Sequence, residues 1–464
     1  MERPAIVTGP RLWPALAAAL WLIAVGLRIP GLNDDLWLDE IWSLEWIRDT
    51  GQWWELLTTR HHEINHWLMS LILRVTGAEP AWHARIVPLL MSGAALGVVA
   101  FVARRRATEM VWLALLGTST LLIHYSTEAR GYAGAVALAI IATVCARSYL
   151  RDGNEQARWP LVAALTLGIG FHPSFAFVSA GIGAWILVST ALRRTAILLA
   201  LPVMAAGAAY LSIRQMEVGG SIPHTAPAAL LDLTTYTLGV SPGWPVIMVG
   251  GLVLGLCAFE VAGLLRDRDA EVALYLVGII VTPALLTAAR GEPFVLARHF
   301  LIVVPLVLLL LSRALVRVAA LNPAGRAIAI SVTVALVGAN LLQSQGWARN
   351  HRGTPREALA YVVSHSPPSG PIGIASDNDG RNSRLVRFHA PQVSGGDRIA
   401  YVYDENWRSL FPDWLIVSRY ETDHRPTPRT IQARGASYRL ERAFPAAPVS
   451  GCLWALYHRT GQTQ

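Results

Sequence analysis

Residues 12–28 read LWPALAAALWLIAVGLR, and after a short polar gap residues 36–43 read LWLDEIWS. The first run is apolar for about the length that a helix needs to cross the hydrocarbon core of a bilayer. It lacks a small-residue cleavage site of the kind that ends a signal peptide, so we interpret it as a retained span. Two carboxylates, Asp39 and Glu40, therefore follow directly after the first membrane crossing.

The composition extends this interpretation to the whole chain. Of 464 residues, 53% are hydrophobic and only 15% are charged, and the mean hydropathy is +0.41. Such a chain is too apolar for an ordinary soluble protein. All 39 basic residues are arginines, because the sequence has no lysine. They stand in short clusters between apolar runs, a pattern that orients membrane helices, so we expect no nucleic acid partner despite the net charge of +8.

Apolar runs recur along the chain and predict about eleven membrane spans. They begin at Leu12, Ile86, Met110, Tyr132, Trp159, Phe175, Ala196, Val246, Val272, Phe300 and Ala327. Arginine clusters fall at every second connection, as cytoplasmic loops should. The N-terminus is then cytoplasmic, and everything after about Gln345 is extracytoplasmic. The fold class that follows is an α-helical polytopic membrane protein.

The long connection between the first two spans, residues 31–84, lies on the outer side in this topology. It carries seven of the 17 tryptophans of the chain. Tryptophan concentrates at membrane interfaces, so we expect short helices along the outer surface. Glu63 to Val75 has the matching periodicity, with a polar stripe that includes His66, Ser70 and Arg74 and could cover a cavity.

Residues 346–464 have a different character from the membrane domain, residues 1–345, because proline, glycine and charge rise and no spanning run recurs. Thr354-Pro355-Arg356-Glu357 predicts a helix that begins with a capping box. The runs IGIAS, RIAYV, DWLIVS and CLWALY predict strands. We interpret the tail as a small extracytoplasmic α/β domain, whose role as a substrate selector or a simple cap stays open.

Four stretches resemble the bacterial GT-C membrane glycosyltransferases of families 39 and 83, which include protein O-mannosyltransferases, the aminoarabinose transferase and rhizobial galacturonosyltransferases. They are LWLDEIWSLEWI (36–47), NHWLMSLIL (65–73), HYSTEARGYA (124–133) and ARHFLIVVPLVLLLL (297–311). Where the family usually has Asp-x-His-Pro-Pro or Asn-His-Pro-Leu, this chain reads EINHWL at residues 63–68. That difference leaves open which acid assists and what the acceptor is.

The resemblance implies a GT-C fold and the transfer of a sugar from a polyprenyl phosphate carrier, in a single displacement with inversion. The acceptor would be an envelope glycan, glycolipid or protein on the outer face of the bacterial cytoplasmic membrane. Membrane lipid is a further expected partner. A divalent metal is compatible with this chemistry, but no residue pattern requires a metal or another cofactor.

The chemistry of such a transfer also points to particular residue types. The acceptor hydroxyl must give its proton to a carboxylate, and the leaving phosphate needs cations. Asp39 is the candidate base. Glu40 points about 100° away from it on a helix and so cannot face the same cavity; it could pair with an arginine instead. Glu63 is a third candidate catalytic acid.

Arginine is the expected phosphate ligand, since its planar guanidinium binds two phosphate oxygens at once. Arg298 and Arg130 lie at predicted outer ends of spans and are the candidate phosphate clamps. Further candidate substrate-binding residues are Asn65, His66, Glu128, His172 and His299. Ordinary roles stay open for all of these, as helix-start acids, headgroup-binding arginines and interfacial histidines.

Two other classes of protein remain as alternatives. His62-Glu63-Ile64-Asn65-His66 matches HExxH, in which two histidines hold zinc and the glutamate activates water in a metalloprotease. The match opens an interfacial helix, and we find no third ligand in a recognisable downstream motif. A transporter would place charges near the middle of the bilayer, whereas here they collect at the predicted faces. The three cysteines, Cys145, Cys257 and Cys452, predict neither a disulfide framework nor a metal site.

Overall fold

The computed structural model describes residues 12–58, 64–77, 81–213, 225–290, 297–419, 426–447 and 451–462. The chain divides into two compact units. The first unit comprises Met1–Leu32 and Trp46–Ser344, and the second comprises Asn33–Glu45 and Gln345–Gln464. The segment that carries Asp39 and Glu40 therefore belongs to the second unit, together with the tail.

The described chain up to Asn350 is built mainly from helices. In chain order, the helices up to the end of the apolar region are α1 (Leu12–Gly26), α2 (Leu38–Asp49), α3 (Glu55–Thr58), α4 (Trp67–Thr76), α5 (Ala81–Ala103), α6 (Ala107–Thr118), α7 (Thr120–Tyr125), α8 (Tyr132–Leu150), α9 (Arg158–Phe171), α10 (Ala176–Ser189), α11 (Leu192–Ile213), α12 (Ala226–Leu238), α13 (Trp244–Arg266), α14 (Val272–Tyr275), α15 (Thr282–Arg290), α16 (Val304–Ala319) and α17 (Pro323–Asn350).

Each predicted span is helical, and the protein is a polytopic membrane protein as predicted. Among the described residues, seven segments are long and apolar enough to cross a bilayer: Leu12–Asn33, Ala81–Ala103, Tyr132–Leu150, Leu192–Leu211, Trp244–Arg266, Ala297–Ala319 and Pro323–Ser364. The predicted spans that begin at Met110, Trp159, Phe175 and Val272 are shorter helices. Of the eleven predicted spans, seven thus coincide with long helical segments and four with shorter helical stretches.

Two of the short helices end at breaks held by polar side chains. The helix α6 ends at Thr118, and the fully buried Arg28 donates to its last carbonyls, Leu116 O at 3.1 Å and Gly117 O at 2.8 Å. On the other side of this break, the Asn340 side chain accepts from the Thr120 N–H at 2.9 Å. These contacts satisfy backbone groups that helix ends leave unpaired. They also define where α7 starts, and α7 leads into the segment of Glu128 and Arg130.

The second break lies at His172-Pro173, between the predicted spans that begin at Trp159 and Phe175. His172 is extended, with φ −162° and ψ 135°, and ends α9. A residue before proline is disfavoured in the helical region, which explains the break. A short 3-10 helix, Pro173–Phe175, then leads into α10. His172 is consequently held in a turn between two helices.

Arginine clusters that predict cytoplasmic loops take part in a buried ion-pair network. The carboxylate of Glu271 is fully buried and accepts from Arg147 at 2.6 Å, from Arg313 at 2.8 Å and from Arg151. Tyr275 adds a hydrogen bond to it at 2.8 Å. The arginines therefore stabilise the packing of α8 and α16, a role that the sequence pattern alone did not indicate.

The second unit contains one six-stranded sheet of order β2-β1-β3-β6-β5-β4. Its elements are α18 (Pro355–Ser364), β1 (Ile372–Ser376), α19 (Asp379–His389), β2 (Ile399–Tyr401), α20 (Trp407–Leu410), β3 (Trp414–Arg419), β4 (Thr430–Ala433), β5 (Ala436–Phe444) and β6 (Leu453–Gln462). The strand β1 is parallel to β2 and β3, and the pairs β3/β6, β6/β5 and β5/β4 are antiparallel. The four predicted strands and the α/β character of the tail are confirmed.

The hairpin β4–β5 was not predicted. Its two-residue turn places Arg434 at φ 52° and Gly435 at φ 88°. Positive φ at both central residues is typical of the hairpin turn that matches strand twist, usually signalled by Asn-Gly. Arginine at the first position removes that signal from the sequence.

The predicted capping box at the start of α18 does not form. The helix begins at Pro355 as expected, but the Thr354 side chain makes no capping hydrogen bond. The Glu357 carboxylate accepts from Arg442 at 2.8 Å. The Glu357 side chain, which would have completed the capping box, thus forms an ion pair with Arg442 instead.

Candidate functional site

The two adjacent carboxylates occupy the first turn of α2. Glu40 is fully buried, and its Oε2 accepts a hydrogen bond from the Trp37 N–H at 3.2 Å. A glutamate at this position that reaches back to the backbone N–H before the helix stabilises the helix start. Asp39 is half-buried and lies on a different side of the helix. Glu40 therefore holds the turn from which Asp39 projects.

Asp39 lines a cavity of about 40 Å³ within the second unit, which we call the Asp39 cavity. The other side chains with polar or titratable groups around it are Trp37, Arg352, Thr354, Arg381, Cys452 and Trp454. These residues come from the start of α2, the approach to α18, the start of α19 and the start of β6. Of this group, the sequence analysis singled out Asp39 alone as a functional residue.

In the first unit, Glu128 and Arg130 lie between α7 and α8. Both are buried, with exposures of 0% and 5%. The Arg130 N–H donates to Glu128 O at 2.7 Å, and its guanidinium lies 3.7 Å from the Glu128 carboxylate. The carboxylate therefore restrains an arginine that is held away from bulk solvent.

Next to this segment, four aromatic side chains from separate parts of the chain pack together as a histidine–tyrosine cluster. It consists of His66, Tyr125, Tyr132 and His172. The ring centroids of His66 and His172 are 5.0 Å apart, and Tyr132 lies 4.6 Å from His172 and 5.1 Å from Tyr125. The Arg130 guanidinium carbon lies 5.4 Å from the Tyr132 ring. Two candidate residues, His66 and His172, are thus brought into direct contact.

The tyrosines of the cluster were missed by the sequence analysis, although both lie in the quoted stretch HYSTEARGYA. Tyrosine is common at membrane interfaces, so its presence there does not distinguish a site residue. The spacing of Tyr125 and Tyr132 across the α7–α8 connection offered no periodic signal either. Only the packing shows that the two rings meet.

The imidazole of His66 is neutral and presents a lone pair. Its Nδ1 lies 3.2 Å from Phe171 O, and a carbonyl can only accept, so Nδ1 carries the proton. Its buried Nε2 has no hydrogen-bond partner among the described residues. Burial lowers the pKa of His66 well below its ordinary value, and the positive charges of Arg130 and Arg298 lower it further. Arg130 adjoins the cluster through the Tyr132 ring, and the 3-10 helix Ala297–Val303, which carries Arg298, packs against α8.

A glycine allows this close packing. A Cβ on Gly131 would lie 1.8 Å from Phe171 O and 2.7 Å from His66 Nδ1. Any other residue would therefore push apart the start of α8, the end of α9 and the His66 ring.

The remaining candidates lie at or near the same ends of the helices. His172 Nδ1 accepts from the Ser174 N–H at 3.1 Å, which fixes its ring in the turn. Arg298 and His299 are half-buried in the 3-10 helix Ala297–Val303 that precedes α16. Asn65 is half-buried in the 3-10 helix before α4, and its Oδ1 is enclosed without a partner in the described part of the chain.

The polar stripe predicted for the interfacial helix faces inward. Ser70 is buried beside His66, and the Arg74 guanidinium donates to Thr50 O at 2.7 Å and to Gly51 O at 2.8 Å. On the apolar stripe, Val75 is 87% exposed. The polar stripe of α4 thus makes contacts within the first unit, and the position of this helix at a membrane surface stays a prediction.

The predicted zinc motif is only partly within the described residues. His62 and Glu63 lie outside them, so the catalytic role of Glu63 and the HExxH alternative stay predictions. Across the ranges that the structure does describe, no group of three or more His, Cys, Asp or Glu side chains could hold a metal ion.

Three solved structures, two of ArnT and one of an oligosaccharyltransferase, match the chain. ArnT from Cupriavidus metallidurans in the apo state superposes with a TM-score of 0.52 at 13% identity, over 97% of this chain and 98% of that one. ArnT from the same organism bound to undecaprenyl phosphate gives 0.39 at 14% identity, over 96% and 97%. The oligosaccharyltransferase of Archaeoglobus fulgidus, tethered to an acceptor peptide, gives 0.44 at 10% identity, over 79% and 62%.

The likeness to apo ArnT extends over nearly the whole of both chains and shows a GT-C fold, as the sequence resemblance implies. No protein-family profile and no curated protein sequence matches the chain. Fold by itself does not determine the reaction, which depends on the residues of the site.

Proposed function

We propose that this protein transfers a sugar from a polyprenyl phosphate carrier to a hydroxyl of an envelope glycan, glycolipid or protein at the outer face of the cytoplasmic membrane. The observation that supports this most is the convergence of Arg130 and Arg298 on the buried histidine–tyrosine cluster. Two cations beside a ring that burial keeps neutral form a site suited to an anionic ligand with hydroxyl groups.

The arginines would bind the phosphate that links lipid and sugar. A guanidinium binds two phosphate oxygens at once and stays charged when buried. The buried carboxylate of Glu128 restrains Arg130, so this cation is preorganised and needs little rearrangement as charge develops. The neutral His66 presents a lone pair at Nε2, which suits a sugar hydroxyl better than a phosphate oxygen.

The chemical step is a single displacement at the anomeric carbon. The acceptor oxygen forms a bond to that carbon, while the bond from the carbon to the phosphate oxygen breaks and its electron pair stays on the polyprenyl phosphate. Asp39 takes the proton of the attacking hydroxyl as general base. Arg298 and Arg130 stabilise the charge that develops on the phosphate.

The test uses the purified full-length protein in lipid nanodiscs. Undecaprenyl phosphate should bind, and Arg298→Ala should weaken its affinity about tenfold to a hundredfold, because charged hydrogen bonds contribute about 1.5–3 kcal/mol. The matched control is Arg266→Ala, whose side chain is 79% exposed at the end of α13. Equal affinity for undecaprenyl phosphate in the wild type and Arg298→Ala would refute the phosphate clamp.

The reaction itself is tested with material from a strain that lacks this enzyme. Its unused donor lipid and its acceptor membranes serve as substrates for the purified protein, and mass spectrometry follows the glycosylated product. Product formed by the wild type supports the proposal. Unaltered envelope glycans and glycolipids in the deletion strain would contradict it.

A further inference from the structure

The segment that carries Asp39 is tied to the tail of the second unit on both sides of that residue. Before Asp39, the backbone carbonyl of Leu36 accepts a hydrogen bond from the buried His389 ring at 2.9 Å. After it, the Glu45 carboxylate accepts from Arg384 at 2.7 Å. All five residues belong to the second unit. Contacts within one unit therefore decide where the candidate base stands relative to the tail.

The start of this segment is held by two neighbouring carboxylates. The Asp35 carboxylate accepts from the backbone N–H of Arg356 at 2.9 Å and from its guanidinium. The Asp34 carboxylate lies 2.5 Å from His351 Nδ1 and 3.6 Å from Arg352 Nη1. Arginine keeps its charge throughout the ordinary pH range, whereas an imidazole titrates near neutral pH. Of these five side chains, His351 is therefore the one that changes charge there.

The His351–Asp34 pair borders the Asp39 cavity. Residues 36–39 line one side of this cavity, and residues 352–355 line another. Asp34 stands two residues before the first of these stretches, and His351 directly precedes the second. The bond between the two side chains thus joins both stretches at the edge of the cavity. A change in this bond alters the position of Asp39 relative to residues 352–355.

The backbone of His351 adopts a conformation that histidine seldom takes. Its φ is 51°, in the left-handed region. The residue follows Asn350, the end of α17, and its N–H donates to Trp347 O at 2.8 Å. Glycine usually occupies this position after a helix, because a Cβ crowds the following carbonyl oxygen there. Strain of this kind persists where surrounding contacts hold it, often at functional sites. The contact of the His351 side chain with Asp34 is such a restraint.

The charges around His351 favour its protonated form. The hydrogen bond to Asp34 raises the pKa of His351 above its ordinary value of 6.5, and the negative charges of Asp34 and Asp35 act in the same direction. Partial burial and the positive charge of Arg352 oppose this rise. The side chain is 34% exposed, so it can exchange its proton with solvent. The stabilisation by the charged pair is complete below the ordinary pKa and is lost as the pH rises through the raised one.

We propose that His351 is a positioning residue, which in its protonated form binds Asp34 and thereby holds Asp39 in the position from which it acts as base. When the proton leaves, the imidazole keeps at most a neutral hydrogen bond, which is about half as strong as a charged one. The start of the segment then becomes less restrained, and Asp39 takes the proton of the acceptor less efficiently. This inference rests on the proposed function, and it adds regulation of the same site by pH.

The experiment measures single-turnover transfer to acceptor membranes of the deletion strain by the full-length protein in nanodiscs, with donor lipid already bound. The rate should rise with pH as Asp39 ionises and then fall about threefold to tenfold as His351 loses its proton, because a partly exposed charged bond weakens. His351→Gln keeps an N–H for Asp34 but does not titrate, so its rate should stay low without the alkaline fall. His351→Lys keeps the charge and should move the fall to higher pH.

The matched control is His365→Gln, which should keep the wild-type pH profile. This exposed histidine directly follows α18, and its Nδ1 lies 3.0 Å from Ser364 Oγ and 2.9 Å from Tyr361 O. A role of His351 in folding alone would lower the rate equally at every pH. An alkaline fall that persists in folded His351→Gln would therefore overturn the positioning role while glycosyl transfer stands.

Thermal unfolding tests the pair without transfer. The wild type should be more stable than His351→Gln at low pH, and the difference should shrink as the pH rises through the pKa of His351. A difference that stays constant with pH would also overturn the inference. Absence of transfer by the wild type at every pH would remove the proposed function and this inference with it.

Discussion

Replacing Asp39 by asparagine should stop proton abstraction while leaving the shape of the site intact. The two side chains have nearly the same size, and Asp39 is half-buried at the wall of a small cavity. Loss of a general base typically slows a reaction about 10²- to 10⁴-fold, which corresponds to about 3–5 kcal/mol in the barrier. We expect turnover of Asp39→Asn to fall by that factor.

The neighbouring acid provides the matched comparison. Glu40→Gln keeps an acceptor oxygen for the Trp37 N–H and removes the negative charge of a buried carboxylate near the start of α2. A charge at this position contributes about 0.3–1 kcal/mol to helix stability, up to about 2 kcal/mol when partly buried. Glu40→Gln should therefore lower the unfolding temperature slightly, with a much smaller loss of turnover than Asp39→Asn.

Single-turnover transfer in nanodiscs, with donor lipid already bound, isolates the chemical step from binding. Thermal unfolding of both variants checks that they are folded, and titration with undecaprenyl phosphate checks the donor site. Near-normal turnover in folded Asp39→Asn would refute the assignment of the base. An equal loss in both variants would show that the two acids do not divide their roles.

Four further outcomes are expected. Gly131→Ala should lower the affinity for undecaprenyl phosphate by displacing the backbone near Phe171 O, and an unchanged titration would contradict the close packing. Glu271→Gln should cost about 3 kcal/mol of stability, since it removes the charge shared by buried arginines, and thermal unfolding in detergent measures this. His62→Ala should retain most transfer, whereas stoichiometric zinc and proteolysis in the wild type would favour the protease. A topology reporter fused after Gln345 should be extracytoplasmic, and a cytoplasmic signal would invert the proposed sidedness.

Hydropathy predicted the helices of the membrane part because each apolar run carries its own signal. The strand IGIAS is likewise marked by its own residues. At His172-Pro173 the proline disfavours a helical conformation of the preceding residue, so the helix break there also has a local cause. The hairpin β4–β5 escaped prediction because Arg434 replaces the residue that usually marks its turn. The capping box of Thr354 and Glu357, in contrast, was predicted but does not form. Its Glu357 side chain pairs with Arg442 instead.

Some residues of the site could be proposed from the sequence, whereas others are recognised only from the tertiary structure. Asp39 and the arginines at the helix ends stand out by residue type and position, so the sequence by itself was enough to propose them. Tyr125, Arg381 and Cys452 carry no such signal, because their proximity to candidate residues depends on contacts between distant parts of the chain. Only the tertiary structure placed the segment of Asp39 in the same unit as the tail, and only packing could enclose a cavity between α2, α19 and β6.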